Sequence, residues 1–177
     1  AIGYRAFLKA PRPQGLVKRG IGTALLSYGQ SCYPHSVELS GARVRVNEDA
    51  TATLYIGCAE IGQGTDTVMA QIAAEALGIP FADMNVVAVD TDVCPFDPGA
   101  YASRQTYVAG HAVKKAAAAC KEQILRYAVD TLSVNYERLD AQDGWIIDRG
   151  AGKRLIPMRE LTMRMHYDCH TPVTICH

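Results

Sequence analysis

An α+β fold is what this sequence predicts: a mixed, largely antiparallel sheet with helices packed on one face. Three observations lead there. Apolar and polar residues alternate with period two through Ala42-Arg43-Val44-Arg45-Val46, the mark of a half-exposed strand. Apolar residues recur at helical spacing after residue 67 and again from 103 to 130, which gives two amphipathic helices. The order strand–strand–strand–helix–strand–helix suits helices laid on one face of a sheet.

Element by element, residues 1–19 are rich in Pro, Gly and Lys/Arg and read as a connecting segment, with a domain over 20–177 whose C-terminal part is the less well defined. The mostly apolar run from Gly20 to Tyr28 predicts a buried strand. Val37, Leu39, Ala42, Val44 and Val46 predict a half-exposed one, Asn47-Glu48-Asp49-Ala50 a turn, and Thr51 to Gly57 the returning hairpin strand. Val68, Met69, Ile72, Ala73, Ala76 and Leu77 form a helical stripe that Gly78 and Pro80 terminate. Asn85 to Val89 is a strand. Ser103 to Asp130 reads as one long helix, buried along Val108, Ala112, Ala116, Cys120, Ile124 and Ala128. Trp145-Ile146-Ile147 predicts a hairpin, and Met158 to Met165 a short helix.

With 177 residues, about half of them apolar, the chain has one domain's worth of core. Its formal net charge is zero, so no basic surface is available to hold nucleic acid or an acidic membrane. Its apolar runs are too short to span a bilayer. The six cysteines show no C-x2-C spacing, and free thiols in a reducing, cytoplasmic setting are expected. The start at Ala1-Ile2-Gly3-Tyr4 and the stop at Thr174-Ile175-Cys176-His177 are read as cut ends of a longer protein.

Two loops set the sequence apart. The stretch Ala59-Glu60-Ile61-Gly62-Gln63-Gly64-Thr65-Asp66-Thr67 precedes the first helical stripe, and Asp97-Pro98-Gly99-Ala100-Tyr101-Ala102-Ser103-Arg104-Gln105-Thr106 precedes the second. Each combines low bulk with side-chain amides or hydroxyls at a helix start, where unpaired N–H groups and the positive dipole end suit an anion such as a phosphate. The blander alternative is a pair of tight turns, with Thr65 capping its helix. Gly62-Gln63-Gly64 is neither a P-loop, which needs Gly-Lys-Ser/Thr, nor a Rossmann G-x-G-x-x-G.

These residues resemble a family. Ala59 to Val68, the helix through Gln71 and Ala74-Glu75-Ala76-Leu77-Gly78-Ile79-Pro80, Asp90-Thr91-Asp92, and the run from Pro95 to Val108 are similar to the molybdenum hydroxylases, the xanthine dehydrogenase and aldehyde oxidase group. The likeness runs from about Lys18 to Leu125 and is nearest to the molybdenum-binding subunit of bacterial xanthine dehydrogenases. It implies that the domain over 20–177 is part of a molybdopterin-binding domain. The cofactor would be held by Gln63, Gly62, Gly64, Thr67, Ala100, Tyr101, Ala102, Ser103 and Gln105, with Ala102 beside the molybdenum as a small neighbour rather than a ligand. The implied reaction is hydroxylation of an electron-poor carbon, in a purine or related small heterocycle, with water as the oxygen source and a glutamate as base. An aldehyde or nicotinate hydroxylase is the alternative within the family.

The family's glutamate segment is absent, since no Glu-Pro occurs here, and so is its substrate-orienting arginine motif. No catalytic residue is therefore assigned, Glu60 is not taken as the base, and the isolated chain is expected to be inactive. The remainder of the molybdenum subunit, with iron–sulfur and FAD subunits or domains, would be the partners. The rival from another class is a non-catalytic structural or interaction domain. His166, Cys169, His170, Cys176 and His177 fit no common zinc spacing, His111 is read as a packed or solvated helix residue, and Asp90, Asp92 and Asp97 do not make an EF-hand.

Overall fold

A computed structural model describes residues 3–12, 14–30, 34, 38–168, 170 and 173–176. Strand β1 (Ala42–Val46) pairs antiparallel with β2 (Ala52–Ile56) across the turn at 47–51, where the Asn47 N–H donates to the Thr51 carbonyl at 2.8 Å. The alternation does what its period demands: Ala42, Val44, Val46, Ala52, Leu54 and Ile56 are all fully buried on one face. On the other face Arg43 lies 4.2 Å from the centroid of the Tyr55 ring.

Helix α2 (Thr65–Leu77) carries the chain from β2 to β3 (Met84–Ala88), which pairs with β2 in parallel. Gly78, at φ 88°, ends α2, and a Cβ there would overlap the Ala141 carbonyl. Helix α3 (Gly110–Leu132) packs on α2, on β1 and on β7 (Val173–Cys176), and β7 extends the sheet to the order β3-β2-β1-β7. Both helices carry buried small residues, Ala70, Ala73 and Ala74 on α2 and Ala116 and Ala117 on α3, of the kind that permits close approach. A second sheet, β4 (Leu139–Gln142), β5 (Trp145–Asp148) and β6 (Lys153–Pro157), is antiparallel and leads into α4 (Met158–Tyr167). The molecule is α+β, as its sequence predicts.

Two expectations need correction. The run from Gly20 to Tyr28 is not a buried strand: Leu25 and Leu26 are 96% and 90% exposed and no strand forms. An apolar run marks burial only where other elements cover it, and among the described residues none does. The long helix does not begin at Ser103; a single π turn, Gln105–Ala109, precedes α3, because Ala102 and Ser103 both take left-handed backbone angles. The strand at 153–157 and the strand Val173–Cys176 had no sequence signal. A short exposed helix, α1 (Tyr4–Lys9), lies within residues 1–19. Cys58, Cys94 and Cys120 are free thiols, while Cys32 and Cys169 lie outside the described residues.

Candidate functional site

Parallel pairing of β2 and β3 sends both special loops out from the same end of the sheet, the carboxyl end, where open sheets with parallel strands bind ligands. Gly57, just past β2, lets the two meet: a Cβ there would overlap the Pro95 carbonyl oxygen and crowd the Asp97 backbone nitrogen. The Gly41 N–H, ahead of β1, donates to the Phe96 carbonyl at 3.2 Å and fixes the second loop against the sheet.

The first loop closes on itself. The Glu60 carboxylate accepts the N–H groups of Gly62 at 2.7 Å, Gly64 at 3.0 Å and, more weakly, Asp66 at 3.4 Å. Led by the Gly64 N–H, these bonds hold the Glu60 pKa below the usual carboxylate value. The expectation that the start of α2 offers unpaired donors to an outside anion is thereby corrected: the chain's own carboxylate takes that place. Nor does Thr65 cap the helix. Gly64, at φ 82°, is the N-cap, and the Thr65 hydroxyl turns inward to donate to Gln105 Oε1 at 2.9 Å.

The second loop is held by charge. Arg104 is only 2% exposed and donates to Glu38 at 3.0 Å, to both oxygens of Asp97 at 3.0 and 3.1 Å, and to the carbonyls of Gly99 at 3.0 Å and Leu39 at 2.6 Å. Burial opposes the guanidinium charge, but bonds to Asp97 and Glu38 prevail and raise its pKa. The Cys58 thiol lies 3.7 Å from Asp97; burial first, then the Asp97 charge, push its pKa up to about 12, so it stays a protonated thiol. This network went unread in the sequence. Asp97 and Arg104 stand within one motif, yet their third partner, Glu38, lies far upstream and carries no local signal.

The loops are joined by side-chain amides. Gln105 is buried and its Oε1 accepts from Gln63 Nε2 at 2.6 Å, while its Nε2 donates to the Ala59 carbonyl at 3.3 Å. Gln63 Nε2 also donates to the Ala59 carbonyl at 2.9 Å and contacts the Thr65 hydroxyl, and Gln63 Oε1 accepts the Ile61 N–H at 2.7 Å. Beside this junction lies a cleft of about 340 Å³. Gln63, Ala100, Tyr101, Ala102, Ser103 and Gln105 all line it. Gly62 and Gly64 do not; they supply the positive φ values, 100° and 82°, that shape the turn. Thr67 is exposed on α2, away from the cleft lining. Ala102 (φ 51°) and Ser103 (φ 56°) are two consecutive non-glycine residues in the left-handed region, a strain the surrounding bonds must maintain.

Ile61, Thr65, Val68, Arg104 and Thr106 also line the cleft without having been assigned to the site, and Tyr28 joins them from far outside both motifs. The Tyr28 hydroxyl accepts the Ala102 N–H at 2.8 Å, although the segment around Tyr28 is exposed. Of the terminal group, Cys169 and His177 lie outside the described residues, and His166 Nδ1 stands 3.1 Å from the Thr162 carbonyl oxygen.

A sheet whose parallel pair delivers two low-bulk, amide-bearing loops to one cleft is the architecture of a cofactor-binding domain. The chain belongs to the molybdopterin cofactor-binding domain family, whose profile matches residues 1–174. It is 42% identical over 156 residues to the putative xanthine dehydrogenase molybdenum-binding subunit XdhA of Escherichia coli K12, covering 87% of this chain and 21% of that protein. It is 37% identical over 106 residues to the carbon monoxide dehydrogenase large chain of Hydrogenophaga pseudoflava, covering 60% of this chain and 13% of the relative. The fold matches quinoline 2-oxidoreductase from Pseudomonas putida 86 with a TM-score of 0.73 at 26% identity, over 78% of this chain and 18% of that one. The chain therefore spans only a small part of each of these relatives.

Proposed function

We propose that this chain is part of the molybdenum subunit of a xanthine-dehydrogenase-like hydroxylase, acting on a purine or related small heterocycle in the cytoplasm. Residues 20–177 form a partial molybdopterin-binding domain, to which 1–19 connect. The observation that carries the reading is the shared cleft: Gln63 from one loop and Ala102 from the other line the same cavity.

The lining fits a bulky, polar, planar group. Ala100, Ala102 and Ser103 leave room along one wall, and hydroxyls, amides and the N–H groups at the start of the 105–109 turn offer hydrogen bonds. Gln63 and Gln105 set the shape of the junction from within it, Tyr101 and Ser103 complete the wall, and Gly62 and Gly64 hold the turn. Thr67, away from the cleft lining, is not given a part in holding the cofactor. The cofactor, when bound, supplies the redox centre for hydroxylation; Ala102 is the small residue beside its metal. The base, the rest of the molybdenum subunit, and the iron–sulfur and flavin centres lie outside these residues, so the chain alone is inactive. Relatives named for xanthine and carbon monoxide, with a fold match named for quinoline, leave purine as the substrate favoured by the higher identity.

The rival reading, loops that only make turns, draws on one observation: the Gln63 and Gln105 amides are bonded within the protein. Ala102→Phe in the complete subunit separates the two. On the cofactor reading, molybdenum and pterin content fall at least tenfold while the folded protein persists. Full loading in that variant, or a wild-type subunit that carries no pterin, sinks the proposal.

A further inference from the structure

We infer that Tyr28 is a ligand-binding residue of the cleft, its phenolic proton donated to an acceptor atom of whatever group occupies it. This rests on the cofactor reading above and names a contact that neither loop motif contains.

A phenol oxygen accepts hydrogen bonds and carries one proton of its own to give. Here it accepts the Ala102 N–H at 2.8 Å, across 74 residues of sequence. That bond fixes the oxygen at the cleft wall beside Ala102, in the cleft that Gln63 also lines. Among the described residues no acceptor takes the Tyr28 proton. The Gln63 and Gln105 side-chain carbonyls, the nearest candidates by type, already receive bonds from Ile61, from Gln63 and from Thr65. Tyr28 lines the cavity, which leaves its proton free to be given to a group bound there. A carbonyl, ring nitrogen or phosphate oxygen on the ligand would complete the hydroxyl, and the Ala102 N–H, by donating to that oxygen, makes it a better donor.

Tyr28 also supports a strained residue, so removing its ring oxygen confuses two effects. The test therefore keeps the oxygen and withdraws the proton. A fluorinated tyrosine whose phenol ionises near neutral pH is placed at position 28 of the complete molybdenum subunit. Above that ionisation the oxygen still accepts from Ala102 but has nothing to donate. Pterin release from the loaded subunit is then followed across pH 6 to 9 by the fluorescence of the freed pterin. Release should accelerate about 2- to 10-fold through the phenol's titration in the substituted protein and not in the wild type, the size expected of one hydrogen bond. The melting temperature of the cofactor-free subunit should not follow the same titration. Equal release profiles overturn the inference, as does a melting temperature that titrates in parallel with release. A wild-type subunit holding no pterin overturns the underlying reading instead, and the two failures are distinguishable.

Discussion

The two loops that meet at the cleft reach their shapes by opposite means. The first, residues 59–65, is exposed over Glu60 to Gln63 and puts glycines wherever positive φ is needed, and one carboxylate satisfies the backbone donors of the turn. The second, residues 97–104, puts Ala102 and Ser103 in the left-handed region and restrains them with an arginine buried among two carboxylates and two carbonyls. One loop is satisfied largely from within; the other is strained and clamped from outside. Strain of this kind survives only where the surroundings over-determine it, and it gathers where a surface must present a particular shape. The clamped loop is thus the one that supplies more of the cleft wall.

The sharpest way to break that contrast is to remove the clamp. Arg104→Met leaves the fully buried Asp97 carboxylate without its partner, and losing one member of a buried ion pair costs about 3–5 kcal/mol. Urea unfolding of the complete subunit should show that loss, and adding Asp97→Asn should restore part of it. A loss under about 1 kcal/mol, the size of an exposed pair, would mean that charge does not hold the loop. A smaller effect sharpens the comparison by its sign. Ser103→Gly should stabilise by up to about 1 kcal/mol, because relief of the left-handed strain outweighs the added freedom of the unfolded chain. Gly64→Ala should destabilise by about 1 kcal/mol, since a Cβ there meets no neighbour and only the backbone angle is penalised. Equal signs at the two positions would erase the distinction between the loops.

Much of this was legible in the sequence where the signal is local. Alternation found β1 and β2, the helical stripe and the Gly78 stop found α2, and the two low-bulk motifs found six of the residues that line the cleft. What escaped notice depends on partners distant in the chain. The parallel pairing of β2 with β3, which brings the loops together, is invisible to periodicity. Glu38 and Tyr28 reach the second loop from more than sixty positions upstream, as the 66-residue and 74-residue separations of their bonds show. Glu60 failed in a different way. It sits in the motif, but nothing in the spelling says that its carboxylate folds back on its own helix start, so the turn looked open to an outside anion when it is already satisfied.

That self-satisfaction makes the smallest prediction and the most specific one. Glu60 has a folded-state pKa below its ordinary value, set first by the Gly64 N–H and then by Gly62 and Asp66. A carboxylate depressed in this way stabilises the fold at pH above its unfolded pKa, near about 4.3. The contribution disappears as pH falls through the lower, folded value. Glu60→Gln keeps the shape and removes the titration. The difference in melting temperature between wild type and variant should therefore be constant at neutral pH and shrink as the solution is taken from about pH 5 toward pH 3. Asp49, Asp140 and Asp148 also have lowered values, but they titrate in both proteins and cancel in the difference. If the difference is flat across the acid range, the carboxylate is not the group that closes the first loop, and the start of α2 is open to an outside anion after all.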